Sequence, residues 1–168
     1  MFDFSANADA TDALRASFRR HASGVAVITT NDDQGNPVGF TATSMTSLGA
    51  TPPLVMFSVA RGASSWTAIS NAEYIAIHTL GEANLELAQR MAADHTKRFT
   101  TEDWSRGPHG MPVFEAATSV LICKVRQVIN IENNAVVVSD VIAGAEGQQD
   151  EALLYYQRSY RQTGAALS

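Results

Sequence analysis

The chain has 168 residues, 45% hydrophobic and 17% charged, enough for one domain with a sizeable core. A formal net charge of −5 argues against nonspecific nucleic-acid binding and docking on an anionic membrane, though not against a phosphorylated small molecule at a locally positive site. Cys123 is the only cysteine, so an internal disulfide is excluded and a reducing cytoplasm is the natural setting. No signal-peptide pattern opens the chain, and no apolar run approaches the length of a membrane span.

The first predicted element is a helix capped by Thr11 or Asp12, with Leu14, Phe18 and His21 at helical spacing and Gly24 as its stop. Residues 25–30 read as a nearly continuous apolar strand. The turn cluster at 31–36 returns the chain into residues 37–45, which predicts a hairpin. A third strand follows over 54–59, a short helix over 64–71 and a strand over 74–80. Asn84 is a cap for the next helix, with Leu85, Leu87, Ala88 and Met91 on its apolar side. Residues 94–113 are irregular, broken by Gly107, Pro108, Gly110 and Pro112. Two long strands, 119–131 and 135–143, are joined by Asn133-Asn134, because Asn tolerates positive φ. A last short strand runs over 153–156. Six or seven strands with hairpin connections against three helices predict a mainly β fold. It reads as an antiparallel barrel with peripheral helices, not a βαβ arrangement.

Two stretches carry chemistry. In Gly39-Phe40-Thr41-Ala42-Thr43-Ser44-Met45-Thr46-Ser47, small hydroxyl side chains fall on both faces, Thr41 and Thr43 on one and Ser44 and Thr46 on the other. Such a strand suits a flat, polar-edged ligand lying along it better than a packed core. Arg61-Gly62-Ala63-Ser64-Ser65-Trp66 opens a helix, where unpaired N–H groups, a hydroxyl and a cation could hold phosphate. The plain alternative is an ordinary serine N-cap.

These two stretches, together with Gly24-Val25-Ala26-Val27-Ile28-Thr29-Thr30, Pro52-Pro53-Leu54-Val55 and Tyr155-Tyr156…Tyr160, occur in the order and spacing of the flavin reductase-like family, which the chain resembles over residues 14–160. The resemblance implies a single domain over 1–168. It also implies a six-stranded antiparallel Greek-key split barrel of the FMN-binding type, paired as a homodimer. Phe40, Thr41, Ala42, Thr43 and Ser44 would line the flavin ring and ribityl chain. Ser58, Val59 and Ala60 would extend that wall, and Ser64 and Ser65 would hold phosphate. Arg98 would add a phosphate contact and Phe99 an apolar one. The implied cofactor is FMN, with FAD as the alternative. NAD(P)H is the implied co-substrate, and a monooxygenase accepting reduced flavin is the implied partner. Hydride transfer between two cofactors asks for positioning, so no catalytic acid, nucleophile or metal ligand is assigned.

The remaining reactive residues read as structural. His21, His78, His95 and His109 are scattered without ligand spacing. His78 reads as a core histidine bonded to a backbone carbonyl, and Cys123 as a buried, inert thiol. Trp66 packs the short helix and Trp104 anchors the irregular segment. One departure from the family concerns the nicotinamide. The hairpin reads Ile129-Asn130-Ile131-Glu132-Asn133-Asn134, without the usual histidines, and Tyr155-Tyr156-Gln157-Arg158 replaces the usual Tyr-Arg-Gly. A flavin-holding electron carrier and a flavin-free interaction module therefore stand as alternatives to a reductase. Val136, Val137 and Val138 place valine on both faces of one strand, so one face is expected to meet a helix or another subunit.

Overall fold

The computed structural model describes residues 9–166; the reading of the chain's start as free of a leader lies outside them. The helices are α1 (Ala10–Arg19), α2 (Trp66–Asn71) and α3 (Leu85–Ala92). The strands are β1 (Ser23–Gly24), β2 (Ala26–Asn31), β3 (Pro37–Ala42), β4 (Thr46–Ala50), β5 (Pro53–Ala60) and β6 (Tyr74–Thr79). They continue as β7 (Ser105–Arg106), β8 (Pro112–Val113), β9 (Ser119–Ile131), β10 (Asn134–Glu146), β11 (Leu153–Tyr156) and β12 (Ser159–Gln162). The protein is mainly β. Seven strands form one antiparallel sheet in the order β3-β2-β6-β9-β10-β5-β4, beside a β1-β11-β12 sheet and a β7-β8 pair. That is one strand more in the main sheet than the six of the expected barrel, and its two edges, β3 and β4, share no ladder.

The extra strand arises where one continuous strand was expected over 37–45. The chain bends after Ala42, and residues from Thr46 form a separate edge strand on β5. Ser44 sits in the bend. Its hydroxyl donates to the Ser58 carbonyl and accepts from the Ser58 N–H, each at 3.0 Å. A side chain thus ties the β3–β4 bend to β5.

Other boundaries also move. Asp9, not Thr11 or Asp12, caps α1 by accepting from the Thr11 N–H at 2.8 Å. That helix ends at Arg19, well before Gly24. Between β9 and β10 the positive φ falls on Glu132 (48°), while Asn134 already pairs with Ile131. Asn84 does not close the first turn of α3. Its side chain accepts from the Gly81 N–H and donates to the Ala116 carbonyl, so it fastens a loop. Leu87, Ala88 and Met91 are buried beneath α3, but Leu85 faces out.

β2 and β6 lie mid-sheet and are buried on both faces, as their unbroken apolar runs require. Ile28, Phe57, Ile75, Ile77 and Val137 fill one core cluster. Val27, Leu80, Leu87, Met91 and Phe114 fill a second, beneath α3. The polar exceptions on β2 pin the irregular segment: Thr29 Oγ1 donates to the Pro112 carbonyl at 2.6 Å, and Asn31 Nδ2 to the Gly110 carbonyl at 3.0 Å. Among the described residues no helix is long and apolar enough to cross a membrane.

Candidate flavin site

β3 is the spine of the site, and its alternation decides what each residue can do. Phe40 and Ala42 turn toward the first core cluster, Ala42 fully buried and Phe40 partly so, 6.1 Å from the Phe57 ring. Thr41 turns the other way, and its hydroxyl is spent on the Ala88 carbonyl of α3 at 2.6 Å. Thr43, beyond the strand end, is exposed. The expected row of hydroxyls therefore keeps the exposed Thr43 and Thr46 and the clamped Ser44, and loses Thr41. Of Phe40, Thr41 and Ala42, the main chain is the part left to meet a ligand. On β5, Ser58 and Ala60 are exposed while Val59 is buried in the core. Period-2 alternation explains this split.

The basic end lies at Gly39. Arg98, at the end of a 3₁₀ turn, donates to the Gly39 carbonyl at 2.8 Å and to the Ala93 carbonyl at 2.8 and 3.2 Å. Its Nη1 also lies 3.5 Å from Ser64 Oγ. Partial burial pulls the guanidinium below its ordinary pKa, yet it stays cationic at neutral pH. Arg98 thus joins α3, β3 and the loop before α2 at one point. Ser64 is exposed beside it. Ser65 is not: it is 1% exposed, and its hydroxyl has no partner among the described residues. Phe99 stacks on Phe114 (5.7 Å) and meets Trp104 edge-on (5.5 Å), partly buried against the second core cluster, and Trp104 anchors its segment.

At the opposite end, Thr43, Ser44 and Ser58 line a cleft of about 1090 Å³. Its other walls come from elements the sequence reading did not connect with the site. Arg15, Phe18 and Arg19 reach it from α1, His21 from the segment just after that helix, and Gln157 and Arg158 from the β11–β12 turn. Leu14 and Phe18 of α1 are 59% and 66% exposed, so this amphipathic helix leaves its apolar side uncovered in the single chain. Its helical period was legible; only the packing shows that it borders the cleft.

The other reactive residues stand apart. The Phe114 N–H donates to His78 Nε2 at 3.1 Å, so the ring proton sits on Nδ1 and points to the Val27 carbonyl at 3.0 Å. Burial pushes this imidazole down to about 4. Burial, and secondarily Asp140, pushes the Cys123 thiol up to about 12, which makes it unreactive. His109 stacks on Tyr74 at 3.9 Å.

The flavin reductase-like domain model matches residues 18–164. The chain belongs to the flavin reductase-like family. This flavin reductase-like chain is 40% identical over 151 residues to an NADH:FMN oxidoreductase of Rhodococcus qingshengii, covering 87% of its own length and 78% of the relative's. It is 29% identical to HsaB, the reductase subunit of a flavin-dependent monooxygenase of Rhodococcus jostii, over 88% of its own length and 75% of that subunit's. The crystal structure of a flavin reductase domain protein from Arthrobacter sp. FB24 superimposes with a TM-score of 0.90 at 42% identity, covering 94% and 98% of the two chains.

Proposed function

We propose that the chain is an FMN-binding flavin reductase that takes hydride from NADH or NADPH and supplies reduced flavin to a monooxygenase. One observation carries the reading. The β3 track has a phosphate-competent end, Arg98 beside Ser64, and at its other end the hydroxyls of Thr43 and Ser58 at the mouth of the cleft. Four residues of strand separate them, about 13 Å. A ring system with a phosphorylated tail has that same division of chemistry, and the donor set at each end fits its part.

In this reading Ser64 and Arg98 hold the phosphate, with Ser65 behind them. The main chain of 40–44 edges the ring, and Ser58 and Ala60 continue the wall, while the side chains of Ala42, Val59 and Phe99 support it from the core. When bound, the flavin supplies the two-electron acceptor for the nicotinamide hydride; the chain's part is to hold and orient both cofactors. FMN is favoured over FAD because Arg98 and Ser64 provide for one terminal phosphate. The relatives named NADH:FMN oxidoreductase and monooxygenase reductase subunit support the activity and the partner class.

The same reading treats residues 1–168 as one domain and the sheet as a Greek-key split barrel, with the β3–β4 bend held to β5 by the Ser44–Ser58 clamp. It places the protein in the cytoplasm as a homodimer. Exposed Leu48, Ile129, Ile131 and Ile142 on the outer strands supply apolar surface for that pairing.

The test is an anaerobic titration of the FMN-loaded protein with each nicotinamide. Bleaching of the visible flavin band by NADH or NADPH is expected. A band unmoved by both would reassign the protein to flavin carriage. Combining Ser64→Ala with Arg98→Lys should weaken FMN binding about tenfold or more through lost charge-assisted bonds, and leave riboflavin binding nearly unchanged. Equal loss of both ligands would place the phosphate elsewhere.

A further inference from the structure

The far end of the cleft carries a charge pattern that the flavin track does not use. Arg15 and Arg19, one turn apart on α1, meet Arg158 of the β11–β12 turn around a hollow of about 480 Å³, completed by Asp12 and Ala16. The same three arginines line the larger cleft that reaches Thr43, Ser44 and Ser58. Three of the chain's 12 Lys and Arg residues thus face one space in a protein of net charge −5. Gathering like charges is unfavourable unless an anion joins them. The carboxylate at hand is Asp12, 3.6 Å from Arg15, with both side chains exposed. Among the described residues, no ion pair holds Arg19 or Arg158.

The backbone supports the same assignment. Gln157 and Arg158 occupy the β11–β12 turn at φ 50° and 63°, a left-handed conformation that favours glycine or asparagine. The Gln157 N–H donates to the Arg19 carbonyl at 3.2 Å, so the strained turn is fastened to the end of α1. Arg19 alone is explained by the helix dipole, since it lies in the last turn of α1. Arg15, in mid-helix, and Arg158, on a separate element, are not.

We infer that Arg15, Arg19 and Arg158 form an anion subsite that takes the phosphates of the nicotinamide dinucleotide. The inference rests on the reductase reading, in which nicotinamide meets flavin near Thr43 and Ser58 and the adenylate half extends along the cleft. Guanidinium forks match phosphate oxygens in pairs. The diphosphate bridge and the 2′-phosphate of NADPH share that chemistry.

Calorimetric titration with the unreactive oxidised forms, NAD⁺ and NADP⁺, tests it apart from turnover. Arg15→Ala, Arg19→Ala and Arg158→Ala should each weaken nucleotide binding about tenfold or more, and change FMN binding, read by flavin fluorescence, less than twofold. Loss confined to NADP⁺ assigns the subsite to the 2′-phosphate; equal loss for both assigns it to the diphosphate. Arg158→Gly separates binding from folding, because relief of the positive φ should keep or raise the melting temperature while nucleotide affinity falls. Wild-type binding of neither nucleotide, unchanged affinity in the variants, or parallel loss of FMN would overturn the inference. Normal nucleotide binding without bleaching of flavin would instead count against the reductase reading alone.

Discussion

At the scale of single residues, the buried His78 has the largest energetic consequence. It is 0% exposed, yet both ring nitrogens are satisfied, one by the Phe114 N–H and the other by the Val27 carbonyl. That arrangement accepts only the neutral imidazole, because a second ring proton would face the Phe114 donor. Burial therefore lowers the folded-state pKa from 6.5 to about 4. The unfolded chain takes up the proton first as pH falls, so the native state loses stability on acidification. The contribution is complete above about pH 6.5 and disappears as pH approaches about 4, at a cost of roughly 3 kcal/mol. Urea unfolding between these pH values should show that slope, and His78→Asn should flatten it while lowering stability at neutral pH. An unchanged slope in the variant would assign the effect to other groups.

Among the elements, β3 depends on one missing side chain. A Cβ at Gly39 would lie 2.7 Å from Met91 Cε and 2.8 Å from the Ile28 carbonyl oxygen. Glycine thus lets α3 settle onto the strand, which buries Met91 and brings Ala88 to Thr41. Gly39→Ala forces the methionine outward and also shifts the β2–β3 backbone away from the Ile28 carbonyl, at a cost of about 1–3 kcal/mol. Chemical denaturation should register that loss. FMN affinity should fall with it, because the Gly39 carbonyl also anchors Arg98. A variant as stable as the wild type would show that both Met91 and the β2 backbone at Ile28 yield freely. The bend between β3 and β4 follows a related logic: Ser44 satisfies two backbone groups of Ser58, and the chain leaves the β2 ladder to make those bonds.

For the whole molecule, the exposed apolar side chains set the expected assembly. Ile129 and Ile131 are 40% and 54% exposed near the β9–β10 turn, and Leu48 is 49% exposed on the edge strand β4. Covering the exposed half of one such side chain contributes about 1 kcal/mol, so pairing becomes favourable when several are covered together. Light scattering on the purified protein should return the mass of a dimer. Ile131→Asp should weaken association about tenfold or more while leaving the monomer folded. A monomeric wild type would remove this part of the proposal. α1 also exposes Leu14 and Phe18 beside the cleft.

Local chemistry was enough to locate most elements, the family motif, the buried histidine and the inert thiol. Hydrophobic period, turn residues and the Gly39–Ser47 hydroxyls are properties of neighbouring residues, and neighbours are what a sequence displays. The division of labour within the motif required the tertiary structure. Whether Thr41 faces ligand or helix depends on where α3 packs, and whether Phe99 forms a wall or a core depends on Phe114, 15 positions later in the chain. The arginine cluster was hidden for the same reason: Arg15, Arg19 and Arg158 come together only because the β11–β12 turn is bonded to the end of α1. Contacts between residues far apart in the chain follow from packing, and packing is a property of the folded whole.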